Sequence, residues 1–372
     1  MIAKWKIFRR PIKATPKNME NIVKTAICLH NYLRLNDSIH YAPSGFADLE
    51  TKFGELIPGD WRKIALKEKE SNKEVSTVTK YLNRMEKHGN TNSTVKIIVN
   101  AMTANPTKLW EKLYVHQKKV QKKLNALDFT AVKPRIKDHT RFVLISDTHN
   151  KTKQLDLPEG DVLIHAGDFS NVGKVEEIDH FNEFLNQHKN KYKHIIVISG
   201  NHELSFDPIT FAKNSTNMYK TNLIGSTEIK KRLKNCTYIE DEALYINGFK
   251  IYGSPWQPEF GGWAYNLERG EKCLEKWNMI PDDTDILITH GPPLGYGDCC
   301  SSGLRAGCAE LLSSIQLRKK PKLHVFGHIH EAYGVWTDGT TTFVNASICD
   351  LQYKPSHLPI IVDLKTPIVQ HN

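Results

Sequence analysis

Metal-ligating side chains recur between residues 147 and 330, each just after a short apolar run. The residues concerned are Asp147, His149, Asp168, Asn201, His290, His328 and His330. Carboxylate and amide oxygens, combined with neutral imidazoles, suit borderline divalent metals such as Mn, Fe and Zn. A glycine stands beside most of these residues and lets the backbone turn sharply close to an ion. The pattern predicts a metal site.

The number of such residues predicts a pair of metal ions. Two ions about 3.5–4 Å apart need a bridging carboxylate and about three further ligands each. The expected ligands are Asp147, His149 and His330 on one ion, Asn201, His290 and His328 on the other, and Asp168 between them. Taken alone, each block is also explained as a turn or a chance pairing. Five blocks in succession, each after an apolar run, make coincidence a poor explanation.

The apolar runs that precede these residues predict the strands that position them. Predicted strands cover residues 95–99, 142–146, 162–165, 194–199, 249–253, 286–289, 323–326, 341–345 and 360–364. Predicted helices cover residues 19–35, 107–127, 175–186, 271–277 and 309–318. Strands interleaved with helices indicate an α/β fold, and their density favours two packed sheets. The metal site is then expected at the carboxyl ends of the strands, where open α/β sheets bind ligands.

Charge is distributed unevenly along the 372 residues. Residues 1–140 hold 27 Lys and Arg against 13 Asp and Glu, whereas residues 141–372 hold 24 against 28. Such asymmetry indicates segments of different origin or partner. A solvated basic arm is the favoured interpretation. Nucleic-acid binding through the basic N-terminal 140 residues is the less favoured one.

The composition is not that of a membrane protein or of a disulfide-stabilised secreted protein. With 40% hydrophobic and 25% charged residues, the chain has an ordinary globular composition. No apolar run reaches the ~18 residues of a membrane span. Seven scattered cysteines, an odd number, are typical of reduced thiols, and no secretory signal follows the basic residues at the N-terminus. We therefore predict a cytoplasmic protein, with the nucleus as the alternative.

The ligand blocks resemble those of the calcineurin-like metallophosphoesterase superfamily. The similar segments include HTRFVLISDTHN, GDVLIHAGDFS, GNHELSFD, DILITHGPPLGY and PKLHVFGHIHEAYG, and the resemblance covers residues 95–365. It is stronger to the metallophosphoesterase-domain-containing subfamily, which is related to class III cyclic-nucleotide phosphodiesterases. The resemblance implies an αββα two-sheet sandwich, with a dinuclear site at one edge and the ligand roles given above. It also implies two divalent ions, Mn, Fe or Zn, with Mn and Fe preferred.

The same resemblance implies a reaction and a general acid. A metal-bridging hydroxide would attack phosphorus, and His202 would protonate the leaving group; a structural or phosphate-binding histidine is the alternative. Asp147 and Glu203 are further candidates for hydrogen bonding to ligand imidazoles. The tyrosine of purple acid phosphatases and the phosphate-binding arginines of protein Ser/Thr phosphatases are missing from the corresponding blocks. The expected activity is hydrolysis of small phosphodiesters, cyclic nucleotides above all.

Two residues outside the ligand blocks are candidates for substrate binding. Trp256 lies in the aromatic, Gly/Pro-rich segment 254–266, where a ring could stack on a base. Arg305 could hold a phosphate. The alternative is that the aromatic residues only pack the loop onto the sheet. His165 and His324 lie within predicted strands and are expected to be hydrogen-bonded core residues.

The N-terminal residues resemble a different family. The segments KWKIFRRPI, VKTAICLHNYLR and IPGDWR are similar to the C-terminal tail of a Harbinger/PIF-type DDE transposase nuclease. The match covers residues 1–63 and lacks the acidic residues of the nuclease, so it implies a short, mainly helical and inactive appendage. Residues 64–93 are predicted to form a charged linker. The alternative function is a transposase-derived nucleic-acid-binding protein that carries the metallophosphoesterase domain as a passenger or scaffold.

Overall fold

The structure is a computed structural model that describes residues 49–50, 56–57, 96–213 and 224–368. The chain divides into two compact units, Met1–His88 and Gly89–Asn372, and each is described by itself. In the first unit, β1 (Leu49–Glu50) pairs antiparallel with β2 (Leu56–Ile57). The helix predicted over residues 19–35 and the linker predicted over residues 64–93 lie outside the described residues.

The second unit is built from short strands, most of them apolar and buried. The strands are β3 (Lys122–Leu124), β4 (His139–Ile145), β5 (Val162–His165), β6 (His194–Val197), β7 (Thr237–Tyr238), β8 (Glu242–Ile246), β9 (Phe249–Ser254), β10 (Gln257–Pro258), β11 (Asn266–Leu267), β12 (Ile286–Thr289), β13 (Leu323–Phe326), β14 (Gly334–Thr337), β15 (Thr342–Asn345) and β16 (Ile360–Lys365). Strands that are buried along their whole length, such as β5, β12 and β13, read as nearly continuous apolar runs because both faces of the sheet are covered.

These strands form two large sheets. One has five strands in the order β16-β4-β5-β6-β7, in which β4 to β7 run parallel and β16 is antiparallel. The other has seven strands in the order β3-β14-β15-β13-β12-β9-β8, with a parallel centre of β15, β13, β12 and β9. The antiparallel strands stand at the edges of both sheets. In both sheets, therefore, the parallel strands deliver their carboxyl ends side by side.

The described helices are α1 (Pro106–Gln117), α2 (Leu127–Thr130), α3 (Val175–His188), α4 (Pro208–Lys213), α5 (Ser226–Lys230), α6 (Glu271–Asn278) and α7 (Ala309–Ser314). Helices α1, α3, α5, α6 and α7 pack on the outer faces of the two sheets, whereas Phe129 of α2 packs against the core between them. A wider helical turn over Ile315–Lys319 continues α7. None of the helices in the described part of the chain is long and apolar enough to cross a bilayer.

Three apolar cores hold the layers together. The central core lies between the sheets and combines side chains of both, such as Ile164 of β5 and Ile288 of β12. A second core packs α3, through Phe181, against the five-stranded sheet. A third packs α1, α6 and α7 against the seven-stranded sheet, with Trp277 fully buried. The layering is helix, sheet, sheet, helix, which confirms the predicted αββα sandwich.

The helix predicted over residues 107–127 is wrong in its second half. Helix α1 ends at Gln117, and Lys122–Leu124 form the edge strand β3, which pairs with β14. Lys, Gln and Leu are good helix formers, but helix propensity contributes less than about 1 kcal/mol per residue. An open sheet edge offers backbone hydrogen bonds to any extended segment. Tertiary pairing therefore outweighs local propensity in this segment.

The strand predicted over residues 95–99 is also wrong over its described part, residues 96–99. Residues 96–100 carry no regular structure, although Ile97 is buried and Ile98 is 78% exposed. Alternating burial of this kind suits a strand, but a strand also needs a hydrogen-bonding partner. Among the described strands none pairs with this segment, so its backbone joins no ladder.

Candidate metal centre

The predicted ligands follow five parallel strands at the same edge of the sandwich. Asp147 and His149 follow β4, Asp168 follows β5, and Asn201 follows β6. His290 follows β12, and both His328 and His330 follow β13. Backbone hydrogen bonds join neighbouring turns within each sheet, from Asp147 N to Gly167 O (2.9 Å) and from Gly327 N to His290 O (3.0 Å). Between the sheets, the His328 N–H donates to Asp147 Oδ2 (3.0 Å). The turns therefore form one connected layer.

Four of the ligand residues have a left-handed backbone. The φ angles are 50° for Asp147, 41° for His149, 55° for Asp168 and 69° for His328. Such angles cost free energy for any residue with a Cβ, and they concentrate at functional sites, where the surroundings enforce them. The sharp turns that bring the side chains together are therefore made by the ligand residues themselves, and only in part by the neighbouring glycines.

Two glycines make room for the carboxylates. A Cβ added to Gly327 would lie 1.9 Å from Asp147 Oδ2, and one added to Gly200 would lie 2.2 Å from Asp168 Oδ1. Real Cβ atoms do not approach other heavy atoms so closely. Glycine is thus required at these positions by the space that the carboxylates occupy.

The first group of ligand atoms comes from Asp147, His149 and His330. His330 Nε2 lies 3.3 Å from Asp147 Oδ1 and 3.1 Å from His149 Nε2. Ligands about 2.0–2.2 Å from one ion lie about 3 Å from one another. The spacing of these three atoms fits a single divalent ion.

The second group comes from Asn201, His290, His328 and Asp168. His290 Nε2 lies 2.9 Å from Asn201 Oδ1 and 3.2 Å from Asp168 Oδ2. Ligand atoms of Asp168, His290 and His328 all lie within 4.8 Å of one another. A second divalent ion fits this group on the same grounds.

One oxygen lies between the two groups. Asp168 Oδ2 is 3.2 Å from His290 Nε2 in the second group and 3.9 Å from His149 Nε2 in the first. This is the position that a bridging carboxylate occupies in a two-metal site. The structure thus brings together all seven residues that the sequence predicted as ligands.

Backbone carbonyls orient three of the imidazoles. The Nδ1 atoms of His149, His290 and His330 lie 3.2, 2.9 and 2.9 Å from the carbonyl oxygens of Ser170, Ala166 and Asp350. A carbonyl only accepts, so each Nδ1 carries the proton and each Nε2 faces the cluster. Fixing the tautomer in this way is the usual task of groups behind metal ligands.

The carboxylates and two imidazoles form charged pairs inside the protein. Burial would raise the pKa of Asp147 and Asp168, but His330 and His290 respectively outweigh it and hold both pKa values well below the usual range. Burial likewise lowers the pKa of His290 and His330, but Asp168 and Asp147 raise each to about 9. At neutral pH without metal, these two histidines therefore carry protons.

The other two ligand imidazoles are neutral. Burial lowers the pKa of His149 to about 4 and that of His328 to about 3. A neutral imidazole is the form that binds a metal. Each metal group therefore contains one imidazole that is ready to bind and one that must first lose a proton.

Glu203 supports the backbone of the site rather than an imidazole. Its carboxylate accepts hydrogen bonds from the backbone N–H groups of Asp168 (2.9 Å), Ser170 (2.9 Å) and Gly200 (2.6 Å), and from the Ser170 hydroxyl (2.8 Å). The prediction that Glu203 hydrogen-bonds a ligand imidazole is therefore wrong, because its hydrogen bonds are with these backbone groups and with Ser170. Burial and the Asp168 charge raise the pKa of Glu203 to about 8, although the four donors favour its ionised form.

Asp147 is the other residue predicted to hydrogen-bond an imidazole. Its own carboxylate is held in place by hydrogen bonds from other groups. Its Oδ2 accepts hydrogen bonds from Ser347 Oγ (2.8 Å) and from the backbone N–H of His328 (3.0 Å). Ser347 follows β15 and was not recognised in the sequence. The sequence around Ser347 does not indicate this role, because its partner Asp147 is 200 residues away in the chain.

His202 lies beside the cluster with a fixed ring. Its Nδ1 is 2.6 Å from the carbonyl oxygen of Asn171, and its Nε2 is 4.0 Å from Asp168 Oδ2. The indole of Trp263 stacks on the imidazole, with ring centroids 4.2 Å apart and planes at 25°. Since Nδ1 donates to a carbonyl, Nε2 carries a proton only when His202 is an imidazolium.

The structure does not bring the two predicted substrate residues to the cluster. Trp256 Nε1 donates to Asp241 Oδ2 (2.8 Å), and the Lys276 ammonium lies 4.3 Å from the centre of the ring. The Arg305 guanidinium pairs with the buried Asp298 (2.5 Å) and lies over the Trp110 ring. These contacts of both side chains are internal, and for Trp256 they agree with the packing alternative.

Other aromatic residues contact the ligands instead. The Tyr353 ring lies 4.6 Å from the ring of His149, and the Phe260 ring lies 6.0 Å from that of His328. Phe260 and Trp263 belong to the aromatic segment singled out in the sequence, but nothing in its pattern ranked them above Trp256. Tyr353 lies outside every recognised block and reaches the site only through the loop after Asp350.

In each of the two strand histidines, only one ring nitrogen has a hydrogen-bond partner. His165 and His324 are fully buried, and their Nε2 atoms pair with the hydroxyls of Thr148 (2.9 Å) and Thr289 (2.8 Å). Their Nδ1 atoms have no hydrogen-bond partner. Burial lowers both pKa values to about 3, so both rings are neutral core residues.

Comparison with known proteins agrees with this geometry. A family described as calcineurin-like phosphoesterase matches residues 140–332. The chain is 46% identical over 283 residues to metallophosphoesterase domain-containing protein 1 of Homo sapiens, covering 73% of this chain and 86% of the human protein. It is also 40% identical over 277 residues to a UPF0046 protein of Caenorhabditis elegans, covering 73% and 96%. The chain therefore belongs to the calcineurin-like phosphoesterase family and is a metal-dependent phosphoesterase.

Proposed function

We propose that the protein hydrolyses small phosphodiesters, with cyclic nucleotides as the preferred class, at a site that holds two divalent metal ions. The observation that carries the proposal is the position of Asp168 Oδ2 between two groups of ligand atoms, 3.2 Å from His290 Nε2 and 3.9 Å from His149 Nε2. Two adjacent ions with a shared carboxylate are the usual arrangement for in-line displacement at phosphorus.

The proposed ligand sets follow the two groups. Asp147, His149 and His330 would hold one ion, and Asn201, His290 and His328 the other, with Asp168 shared. When bound, the two ions would polarise the phosphoryl oxygens and activate the attacking water. Oxygen and imidazole donors without thiolates favour Mn and Fe, with Zn as the alternative.

His202 is the proposed general acid. Its ring is fixed by the carbonyl of Asn171 (2.6 Å) and by the stacked indole of Trp263, and only Nε2 is left free. As an imidazolium it would give the Nε2 proton to the departing oxygen. This assignment requires a protonated ring before bond cleavage.

A diester fits the charges of this site better than a monoester. A monoester carries two negative charges and is usually held by arginine or lysine. Among the described residues, the ion pairs of Asp147 and Asp168 involve histidines only. Arg305, the cation proposed from sequence for this purpose, pairs with Asp298. A singly charged diester needs no such clamp.

The scattered free thiols of the described residues support the cytoplasm as the compartment.

Turnover by purified protein tests the proposal. After removal of metal by a chelator, the protein is assayed with Mn²⁺, Fe²⁺, Zn²⁺ or Mg²⁺ on 2′,3′- and 3′,5′-cyclic nucleotides, bis(p-nitrophenyl) phosphate and p-nitrophenyl phosphate. We expect metal-dependent hydrolysis of the diesters and slower hydrolysis of the monoester. Equal or faster turnover of the monoester would contradict the diester preference. Failure of every metal to restore any diester hydrolysis would refute the proposed function.

A further inference from the structure

Two exposed aromatic side chains contact different metal-ligand groups. Phe260 is 61% exposed and Tyr353 is 42% exposed, and neither belongs to the three apolar cores. Single exposed aromatic residues are common on protein surfaces and need no explanation. These two differ because each has its ring against the imidazole of a proposed ligand.

The two rings contact imidazoles of different ligand groups. The Tyr353 ring is 4.6 Å from that of His149 and 5.5 Å from that of His330, which belong to the first group. The Phe260 ring is 6.0 Å from that of His328, in the second group, with the planes at 83°. A phosphodiester held by both ligand groups would have two ester arms, which leave phosphorus in different directions.

We propose that Tyr353 contacts the leaving arm of the diester and Phe260 contacts the retained arm, so that the substrate class is a phosphodiester with a flat aromatic ring on the retained arm. The inference rests on the proposed phosphodiesterase function and adds to it the identity of both specificity residues. A nucleoside base and a simple aryl group share the required chemistry, which is a planar π-face for edge or stacked contact.

The position of His202 distinguishes the leaving arm from the retained arm. A general acid must lie beside the oxygen that leaves. The His202 ring is 4.6 Å from that of His149 and 6.1 Å from that of Tyr353, on the side of the first group. Phe260 contacts the second group instead. The arm near Phe260 therefore stays on phosphorus.

Both rings are carried by loops whose backbone is held in place. The Phe260 carbonyl accepts hydrogen bonds from Asn266 Nδ2 (2.9 Å) and from the N–H of Trp263 (3.3 Å). Tyr353, at φ 58°, donates its N–H to the Asp350 carbonyl (2.9 Å), which also accepts from His330 Nδ1 (2.9 Å). Fixed loops lower the entropy cost of binding a ligand between the rings.

Two esters that differ only in the retained arm test the inference. Methyl p-nitrophenyl phosphate and phenyl p-nitrophenyl phosphate react with water by cleavage of the same P–O bond, release the same p-nitrophenolate, and leave methyl or phenyl phosphate. We expect the wild type to show a higher kcat/KM for the phenyl ester. Phe260→Ala should lower the phenyl-to-methyl ratio of kcat/KM about 2- to 12-fold, the range of a single aromatic contact, and Phe260→Trp should keep it.

Tyr353 provides the complementary measurement. Because both esters share their leaving arm, Tyr353→Leu should lower kcat/KM for both by the same factor and leave the ratio unchanged. The matched control is Tyr245→Ala, since Tyr245 is an exposed aromatic (69%) on β8 near the hairpin at the start of β9. Both esters should be hydrolysed by this variant at the wild-type rate.

The outcomes separate the inference from the function on which it rests. An unchanged ratio in Phe260→Ala, or a ratio that falls in Tyr353→Leu instead, would overturn the assignment of the arms while hydrolysis continues. Absence of hydrolysis of either ester by the metal-loaded wild type would overturn the phosphodiesterase proposal and the assignment together. Thermal melting of each variant, expected to match the wild type because these rings are exposed, excludes unfolding as the cause of a change.

Discussion

At the scale of single residues, protons and metal ions compete for the same ring nitrogens. His290 and His330 direct Nε2 into the cluster because Nδ1 of each is held by a backbone carbonyl. Asp168 and Asp147 raise the pKa of these rings to about 9, against the burial that would lower it. Without metal, each buried carboxylate is therefore neutralised by an imidazolium.

Metal binding should release protons from these two histidines. Below their pKa of about 9 both rings are protonated in the metal-free protein, and a bound ion must displace each Nε2 proton. We expect apparent metal affinity to rise with pH until about 9, and about two protons to be released at pH 7.5. Titration calorimetry in buffers of different ionisation enthalpy measures this number. A release near zero, with an affinity independent of pH, would contradict the prediction.

The role of His202 is tested by its removal. His202→Ala should lower kcat about 10²–10⁴-fold for a diester with an alkoxide leaving group, because that oxygen needs a proton as it departs. The loss should be smaller for p-nitrophenolate, which leaves without one. Metal content, measured by elemental analysis, is expected to stay at the wild-type value. Near-normal turnover of a cyclic nucleotide by a fully metal-loaded variant would remove His202 from the reaction.

At the scale of elements, each ligand block is a strand followed by a strained turn. Left-handed φ angles at Asp147, His149, Asp168 and His328 let adjacent side chains of one turn face the same cluster. Glu203 joins two of the turns by accepting four hydrogen bonds from the Asp168–Ser170 and Gly200 segments. The strain is offset by this hydrogen bonding and by the packed strands beneath.

Gly327 should tolerate no side chain. In Gly327→Ala the new Cβ would lie 1.9 Å from Asp147 Oδ2, so the carboxylate must leave the position in which it contacts His330. We expect at least a 10-fold loss of metal affinity, the usual scale for disturbing a group that supports a metal ligand. Direct metal titration of the purified variant measures the loss.

Gly225 supplies the matched control for this substitution. A Cβ added to Gly225 has no neighbour within 4 Å, and Gly225 precedes α5 outside the ligand turns. Gly225→Ala should therefore bind metal like the wild type. Equal metal affinities of the two variants would show that the space beside Asp147 is not limiting.

At the scale of the whole molecule, the two sheets share one apolar core. Side chains of β4, β5 and β6 meet those of β9, β12 and β13 in its centre. The ligand turns of both sheets lie above this core, so the distance between the two metal groups depends on how the sheets pack. Stability and site geometry are therefore coupled in the second unit.

Truncation of a residue between the sheets should be costly. Ile164 is fully buried in the central core, and Ile164→Ala leaves a cavity that should lower the free energy of unfolding by about 2–5 kcal/mol. Ile209, which is 57% exposed on α4, is the matched control, and Ile209→Ala should change it by less than about 0.5 kcal/mol. Urea unfolding followed by circular dichroism compares the two variants. Similar losses would contradict the assignment of Ile164 to a close-packed core.

Much of the fold was accessible from local patterns. Strands β5, β12 and β13 have the bounds predicted from their apolar runs, because a strand buried on both faces needs no partner-specific signal in its sequence. The edge strand β3 and the irregular segment 96–100 were mispredicted, since their structure depends on which sheet edge is free. Pairing partners at an edge are set by the assembled sheet and leave little trace in the segment itself.

The residues of the candidate site also divide into those that the sequence identifies and those that only the folded chain identifies. Residue type and position after a strand were enough to select Asp147, Asp168 and His290, because metal chemistry restricts ligands to a few side chains and parallel strands end at one edge. The supporting role of Glu203 and the placement of Tyr353 needed the folded chain, since their partners are brought close by distant turns. Trp256 and Trp263 are alike as residues, and only the tertiary structure separates the one that packs on Lys276 from the one that stacks on His202. A side chain's chemistry is written in the sequence, whereas its direction depends on the backbone that surrounds it.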